Sequence, residues 1–432
     1  MAGIEQTIVG LDVGTTKVCA VVGEMRRDGQ VNVLGMGVGP TRGVSKGVVV
    51  NISEVVSSIT VAVEKAERLA GCKIGSAYVG VAGAHITSLN SRGGVSLGRS
   101  GRDIAAEDVS KAVEASRAIT IPPQREVIHV IPRAFIVDGL DGVRDPVGMA
   151  GMRLEVETHI VTGTATALHN LVRCVQQAGV ELDELVLEPL ASSEASLTAA
   201  EKKLGVALVD IGGGTTDIAI FIDGSIWHTT SLPVGGNHLS NDISIVLSVP
   251  FEQAESLKIE HGQAQPTLKY GRLAVRANEE AEEEEGDALQ VTTFSGEEEQ
   301  VSRRLLGEVI QARVEEIFVL VAKEIKRSGF DGLLPAGLVL TGGTAQLPAI
   351  AEVARNVLRM PVRVGAPTRL SGVTGLNGPA YSTAVGLLLW GLRNNLEAEA
   401  RPSVRRRQGW GVAPQRNEVA ERFKGWLKEF IP

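Results

Sequence analysis

Residues 208–220 read Leu-Val-Asp-Ile-Gly-Gly-Gly-Thr-Thr-Asp-Ile-Ala-Ile, and residues 9–21 read Val-Gly-Leu-Asp-Val-Gly-Thr-Thr-Lys-Val-Cys-Ala-Val. Each is an apolar strand carrying one acid, then a turn of Gly and Thr, then a second strand of β-branched and small residues. Asp12 and Asp210 lie 198 residues apart, the separation of two halves built on one plan. Glycines let backbone N–H groups approach an anion without a Cβ in the way, Thr hydroxyls add donors, and the carboxylates can hold a divalent ion or its waters. One copy alone reads equally well as a glycine-rich hairpin with a solvated Asp; two copies in register favour the anion site. A third apolar run, residues 337–350, reads Gly-Leu-Val-Leu-Thr-Gly-Gly-Thr-Ala-Gln-Leu-Pro-Ala-Ile. It predicts a buried strand over 338–340, a Gly342-Gly343 turn and a helix beginning around Pro348. No Gly-x-x-x-x-Gly-Lys-Ser/Thr occurs, which excludes the P-loop class, and no Gly-x-Gly-x-x-Gly turn sits where a dinucleotide fold needs one.

The rest of the 432 residues bounds the function classes. With 44% apolar and 22% charged residues the chain is a folded globular protein of two to four packing units. The longest apolar run, 378–392, has 15 residues diluted by Gly, Ser, Thr and Pro, too short and too polar to span a bilayer. No basic-then-apolar signal pattern opens the chain, so export is not expected. Three scattered cysteines, Cys19, Cys72 and Cys174, fit a reducing compartment and lack metal-ligand spacing. The net charge of −8 comes from one window: ten acids and no Lys or Arg lie in 278–300, leaving 43 basic against 41 acidic residues elsewhere. That balance, with only 15 aromatics and no basic stripe, excludes a nucleic-acid binder. Four of those aromatics fall in the last 23 residues. There Val419, Ala420, Phe423, Trp426, Leu427, Phe430 and Ile431 share one helical face, after a polar stretch with Arg405-Arg406-Arg407. So short a helix needs a surface to fold on. A lipid interface suits it, and so does docking on its own chain or on a partner.

Two glycine–threonine hairpins followed by strand–Gly-Gly–helix is the order of the actin, sugar kinase and Hsp70 superfamily. Glu188-Pro-Leu-Ala-Ser-Ser193 and Pro379-Ala-Tyr-Ser-Thr-Ala-Val-Gly386 resemble its two inter-domain helices. Between the hairpins, residues 153–161 alternate, with Leu154, Val156, Thr158 and Ile160 on one face. Another β-rich run covers 126–137 and an amphipathic helix covers 108–118. The wording of this insert, from Gly-Ala-His-Ile-Thr-Ser at 83–88 to His-Val-Ile-Pro-Arg at 129–133, resembles the FtsA family of actin-like bacterial cell-division proteins. That resemblance runs from Thr7 to about Leu392 and resumes at the C-terminus. PilM, a pilus protein, shares the insert, so the terminal helix separates the two. The fold implied is α/β: an actin-like (ribonuclease H-like) two-lobed fold with a small α+β subdomain inserted in the first lobe. The first lobe core would be 1–83, completed by 163–200 and 375–392, and the SHS2-like insert 84–162. The second lobe core would be 201–240, completed by 325–374, with a subdomain at 241–324 holding the acidic window. A linker at 393–417 and a membrane-targeting helix at 418–432 would follow.

The resemblance implies ATP with Mg²⁺ between the lobes. Gly14, Thr15 and Thr16, and Gly212, Gly213, Gly214 and Thr215, would cradle phosphates, with Lys17 as a cation for them; read alone, Lys17 is equally a solvated hairpin lysine. Asp12 and Asp210 would form the Mg²⁺ shell through water, and Glu188 would order the metal or attacking water, or merely cap its helix. Glu255 and Lys258 would reach the adenosine, although their i, i+3 spacing also permits a surface ion pair. Gly235, Gly236 and Asn237 would approach nearby, and Gly342 and Gly343 would pack on purine and ribose. His129 and His159, in predicted strands without metal-ligand partners, read as structural. Arg303, Arg304 and Arg313, on a helix predicted over 301–326, could meet the acidic C-terminal peptide of the tubulin-like FtsZ, while the acidic window reads as a solvated loop. Val419, Phe423, Trp426, Leu427, Phe430 and Ile431 would bind membrane lipid. The function implied is an ATP-binding scaffold, at most a slow ATPase. It would polymerise, anchor FtsZ filaments to the cytoplasmic face of the membrane at the division site, and recruit later division proteins. A PilM-like assembly protein and a small-molecule kinase are the competing readings.

Overall fold

The computed structural model describes residues 7–26, 30–98, 101–265, 288–368 and 370–399. Two sheets of the same design form its centre. In the first lobe, Ile8–Val13 pairs antiparallel with Lys17–Met25, which continues into Val31–Pro40. On its other side Ile8–Val13 lies parallel to Ser76–Val81, beyond which comes Glu181–Leu187. In the second lobe, Val206–Ile211 pairs antiparallel with Thr216–Ile222 and then Ser225–Leu232, and parallel with Leu338–Thr341 and then Val362–Val364. Both leading strands are buried along their whole length, as a sheet covered on both faces requires.

Helix Ile52–Ala70 covers one face of the first sheet, between an Asn51 N-cap that accepts from the Glu54 N–H and a left-handed Gly71 that stops it. Helices Glu188–Ser196 and Ser382–Glu399 join the lobes. They touch at Gly386, where a Cβ would overlap the Ala191 carbonyl, so only glycine allows this approach. The second of these begins with a 3₁₀ turn, Pro379–Tyr381, and runs to Glu399, so the expected linker from 393 begins inside a helix.

The insert is a four-stranded sheet, Leu140–Val143, Arg125–Val137, Arg153–Thr164 and Thr87–Ser96 in that order, with helix Ala106–Ser116 on one face. Leu154, Val156 and Ile160 are buried as the alternation predicts, Leu154 and Val156 against Phe135 and Val113. His159 breaks the pattern by being buried on the opposite face, because that face leans on the second lobe. There its Nε2 meets Thr229 Oγ1 at 3.0 Å, Ser88 Oγ donates to Thr229 O at 2.8 Å, and the Arg133 guanidinium lies 3.6 Å over the Trp227 ring.

Part of the acidic window is ordered as a hairpin, Ala288–Thr292 with Glu298–Ser302, whose acids face outward while Leu289, Val291 and Val301 are buried. Over 288–300 the acidic window is therefore a hairpin rather than a loop, with its acids solvated, and residues 278–287, which hold the run of four Glu, lie outside the described residues. The following helix is Arg303–Arg327 rather than 301–326, because Val301 and Ser302 belong to the strand and Ser302 caps the helix through the Leu305 N–H.

Candidate nucleotide-binding cleft

The two glycine hairpins have one geometry. Each has a four-residue loop, closed by Gly14 N–H to Lys17 O at 3.1 Å and by Gly212 N–H to Thr215 O at 2.9 Å. Asp12 and Asp210 hold equivalent places, opposite Cys19 and Asp217 respectively. The threonines do not match. Counted along the loops, Thr15 and Thr16 stand where the second copy has Gly213 and Gly214, and Lys17 stands where it has Thr215. The register expected from the repeated Thr-Thr is thus right at the acids and two residues off beyond them. The mismatch has a use, because the loops face each other closely: a Cβ on Gly214 would come within 2.7 Å of Thr15 Oγ1, and one on Gly213 would strike Thr16. One loop keeps side chains and the other gives them up.

Around the loops lies a cavity of about 390 Å³ that brings together Asp12, Gly14 to Lys17, Glu188, Asp210, Gly212, Gly213, Thr215, Gly236, Asn237, Glu255, Lys258, Gly342 and Gly343. Gly235 adjoins it, with its N–H on His238 Nδ1 at 3.2 Å. Gly342 has φ 90° and sits so near Asp210 and the Ile211 carbonyl that a side chain is excluded. The Lys258 ammonium donates to Glu255 at 2.6 Å, Ser240 at 2.9 Å and Gly236 O at 3.1 Å, and Ser240 Oγ also donates to Glu255. The pair thus braces the Gly236 turn from within the cleft. Lys17 donates to Ala380 O and stands 4.3 Å from the Tyr381 ring centre, which ties the first hairpin to the second connecting helix.

Four carboxyls share this interior. Burial pushes Asp12 up to about 6, against the pull of Lys17 and with a further push from Asp210. Burial raises Asp210 as well, although Ser192 Oγ at 2.6 Å and Thr383 Oγ1 at 3.2 Å donate to it. Asp217 rises to about 7 through burial and Asp210, although Thr215 Oγ1 donates to it at 2.9 Å. Glu188 is pushed well above the carboxylate range by burial, then by Asp12, Asp217 and Asp210. As the first residue of its helix, its side chain turns into the cavity over Gly80 rather than simply capping. Among the described residues no three His, Cys, Asp or Glu side chains stand close enough to hold an ion by themselves. A set of acids at raised pKa beside glycine N–H groups fits a ligand that carries phosphate and cation together.

Asp217, Ser192, Thr383 and Tyr381 escaped the sequence reading as site residues, although all but Ser192 line the cavity and Ser192 donates to Asp210. Asp217 was legible as the last acid of the second hairpin; the others come from the connecting helices, where nothing in the letters marks them. His129 accepts from the Leu187 N–H at 3.0 Å, and His159 binds Asn90 and Thr229, both within packing contacts. Arg303 faces His261, Arg304 pairs with Glu308, and Arg313 grips Asp242 with two nitrogens at 2.6 and 2.9 Å, all away from the cleft. Val419, Phe423, Trp426, Leu427, Phe430 and Ile431 lie outside the described residues.

Two duplicated lobes, joined by two helices and closed on a glycine-lined cleft, define an actin-like protein. Solved structures share that fold. A chain of the PilM–PilN type IV pilus biogenesis complex matches with TM-score 0.64 at 15% identity, covering 89% of this chain and 98% of that one. MreB5 of Spiroplasma citri bound to AMPPNP matches with TM-score 0.54 at 16% identity, covering 91% and 99%. The family models for cell division protein FtsA and for the SHS2 domain inserted in FtsA match residues 207–386 and 83–162. Cell division protein FtsA of Pseudomonas aeruginosa is 41% identical over 99% of both chains, and that of Bacillus subtilis 40% identical over 89% of this chain and 83% of its own. This chain belongs to the FtsA family of cell division proteins.

Proposed function

We propose that this actin-like division protein binds ATP with Mg²⁺ in the cleft, assembles into filaments, and anchors FtsZ filaments to the cytoplasmic face of the membrane at the division site. The observation that carries the nucleotide reading is the pair of hairpin loops, equal in length and closure, facing each other beside four carboxyls. Their N–H groups, with the Thr15 and Thr16 hydroxyls, would hold phosphates, while Thr215 Oγ1 donates to Asp217. Asp12 and Asp210 would hold the hydrated cation, which supplies the positive charge that lets these acids ionise together. Lys258 and Glu255 would flank the nucleoside, with Gly342 and Gly343 leaving room for its ring. The amphipathic face at 418–432 supports the membrane role and the family supports FtsZ, through a surface to which Arg303 and Arg304 would contribute. The matched SHS2 insert leaves little chain for a sugar-binding lobe, which weighs against a kinase. Two measurements test the reading. Isothermal titration should show Mg²⁺-dependent ATP binding, and absence of binding would remove the nucleotide role. In vesicle flotation the full chain should rise with anionic lipid while a chain ending at Arg416 stays down; equal flotation would remove the tail's role.

A further inference from the structure

His85 lines the same cavity, at the point where the chain leaves the first lobe's sheet and enters the insert. Both its ring nitrogens are buried and neither has a hydrogen-bond partner among the described residues. That is costly for a polar ring unless something polar is meant to meet it. Its place is fixed from behind. Arg125, at the start of the insert's second long strand, donates to His85 O at 2.9 Å and to Thr162 O at 2.8 Å, and its Nε donates to Thr162 Oγ1 at 2.9 Å. One guanidinium therefore pins the chain where it enters the insert and where it leaves. Two residues before His85, the Gly83 N–H steadies Asp217 at the second phosphate hairpin. The neighbouring polar groups are already engaged: Lys17 by Ala380, Thr215 by Asp217, Arg125 by Thr162.

We propose that His85 is the side chain by which the cleft distinguishes a nucleoside triphosphate from a diphosphate, its ring N–H donating to the terminal phosphate. The inference rests on the nucleotide reading above and adds to it a residue the glycine motifs do not contain. A neutral imidazole offers one donor and one acceptor, matching a phosphate oxygen and an adjacent water. Burial first, then the charge of Arg125, lowers the His85 pKa and keeps the ring neutral. Because its main chain is the root of the insert, a terminal phosphate held there also bears on how the insert is seated.

The test is calorimetric titration of the full chain with AMPPNP and with ADP, each with Mg²⁺, for wild type, His85→Ala and His85→Gln. His85→Ala should weaken AMPPNP binding about tenfold, the scale of one hydrogen bond to a charged group, and leave ADP binding within about twofold. His85→Gln, which keeps an N–H donor, should recover part of the loss. A structural role would move both nucleotides alike, so equal changes, or none, overturn the proposal. Wild type binding neither nucleotide would overturn the nucleotide reading itself and this inference with it, and is told apart because it needs no substitution.

Discussion

Replacing Asp12 by Asn keeps the shape of the side chain and removes its charge. The carboxyl is raised from 3.8 to about 6, chiefly by burial. At about 1.4 kcal/mol per pKa unit, keeping it ionised costs the fold about 3 kcal/mol when no cation compensates. The folded state holds the proton more tightly than the unfolded chain, so its stability falls as pH rises from about 4 to about 6 and then levels off. Asp12→Asn, without nucleotide or added divalent cation, should therefore be more stable than wild type by about 2–3 kcal/mol at pH 8 and nearly equal to it at pH 4. Relief of Glu188, which Asp12 pushes upward, adds to the gain. Urea unfolding followed by circular dichroism at the two pH values measures this, and titration with Mg²⁺-ATP should show that the stabilised variant binds poorly. A variant less stable than wild type at pH 8, or one gaining equally at both pH values, would refute the reasoning.

Three further outcomes follow from the packing. Gly386→Ala should force the connecting helices apart, because its Cβ would overlap backbone at Ala191. It should cost about 1–3 kcal/mol and weaken nucleotide binding by disturbing Ser192 and Thr383 on Asp210; an unchanged urea midpoint contradicts this. His159 is held down to about 3 by burial, then by Arg133, His228 and His129. The unfolded chain thus takes up a proton that the folded one refuses, and stability should drain from about pH 6.5 down to about 3; His159→Gln should flatten that acid slope by one proton, and parallel slopes would count against it. Arg313→Ala, which strips Asp242 of a two-nitrogen partner, should cost about 1 kcal/mol, whereas Arg304→Ala at an exposed pair should stay within about 0.5 kcal/mol. Equal losses in unfolding experiments would show that burial is not what separates them.

The parts of the site made by local chain were legible in the sequence. A strand, an acid and a glycine turn must lie together because they are consecutive, so Asp12, Asp210 and the loops were readable, as was Gly342 at the end of a buried strand. What depends on tertiary meeting was not. Ser192 and Thr383 lie 191 residues apart yet share a hydrogen bond and one carboxylate, and serines in a helix carry no mark of such use. The threonine offset between hairpins was hidden because repeated letters suggest repeated positions, whereas loop length sets the geometry. Leu289 and Val291, alternating with exposed neighbours, did announce a strand, but the acids around them outweighed two apolar residues.

The insert grows from one lobe and rests on the other through directional contacts: Ser88 and His159 on Thr229, Arg133 on Trp227. Hydrogen bonds fail steeply with angle and distance, so this seat cannot yield gradually as greasy packing can. The insert thus forms a crossbar that ties the two halves through these few contacts. Any scissoring of the two halves at this seam would have to break the hydrogen bonds on Thr229 outright.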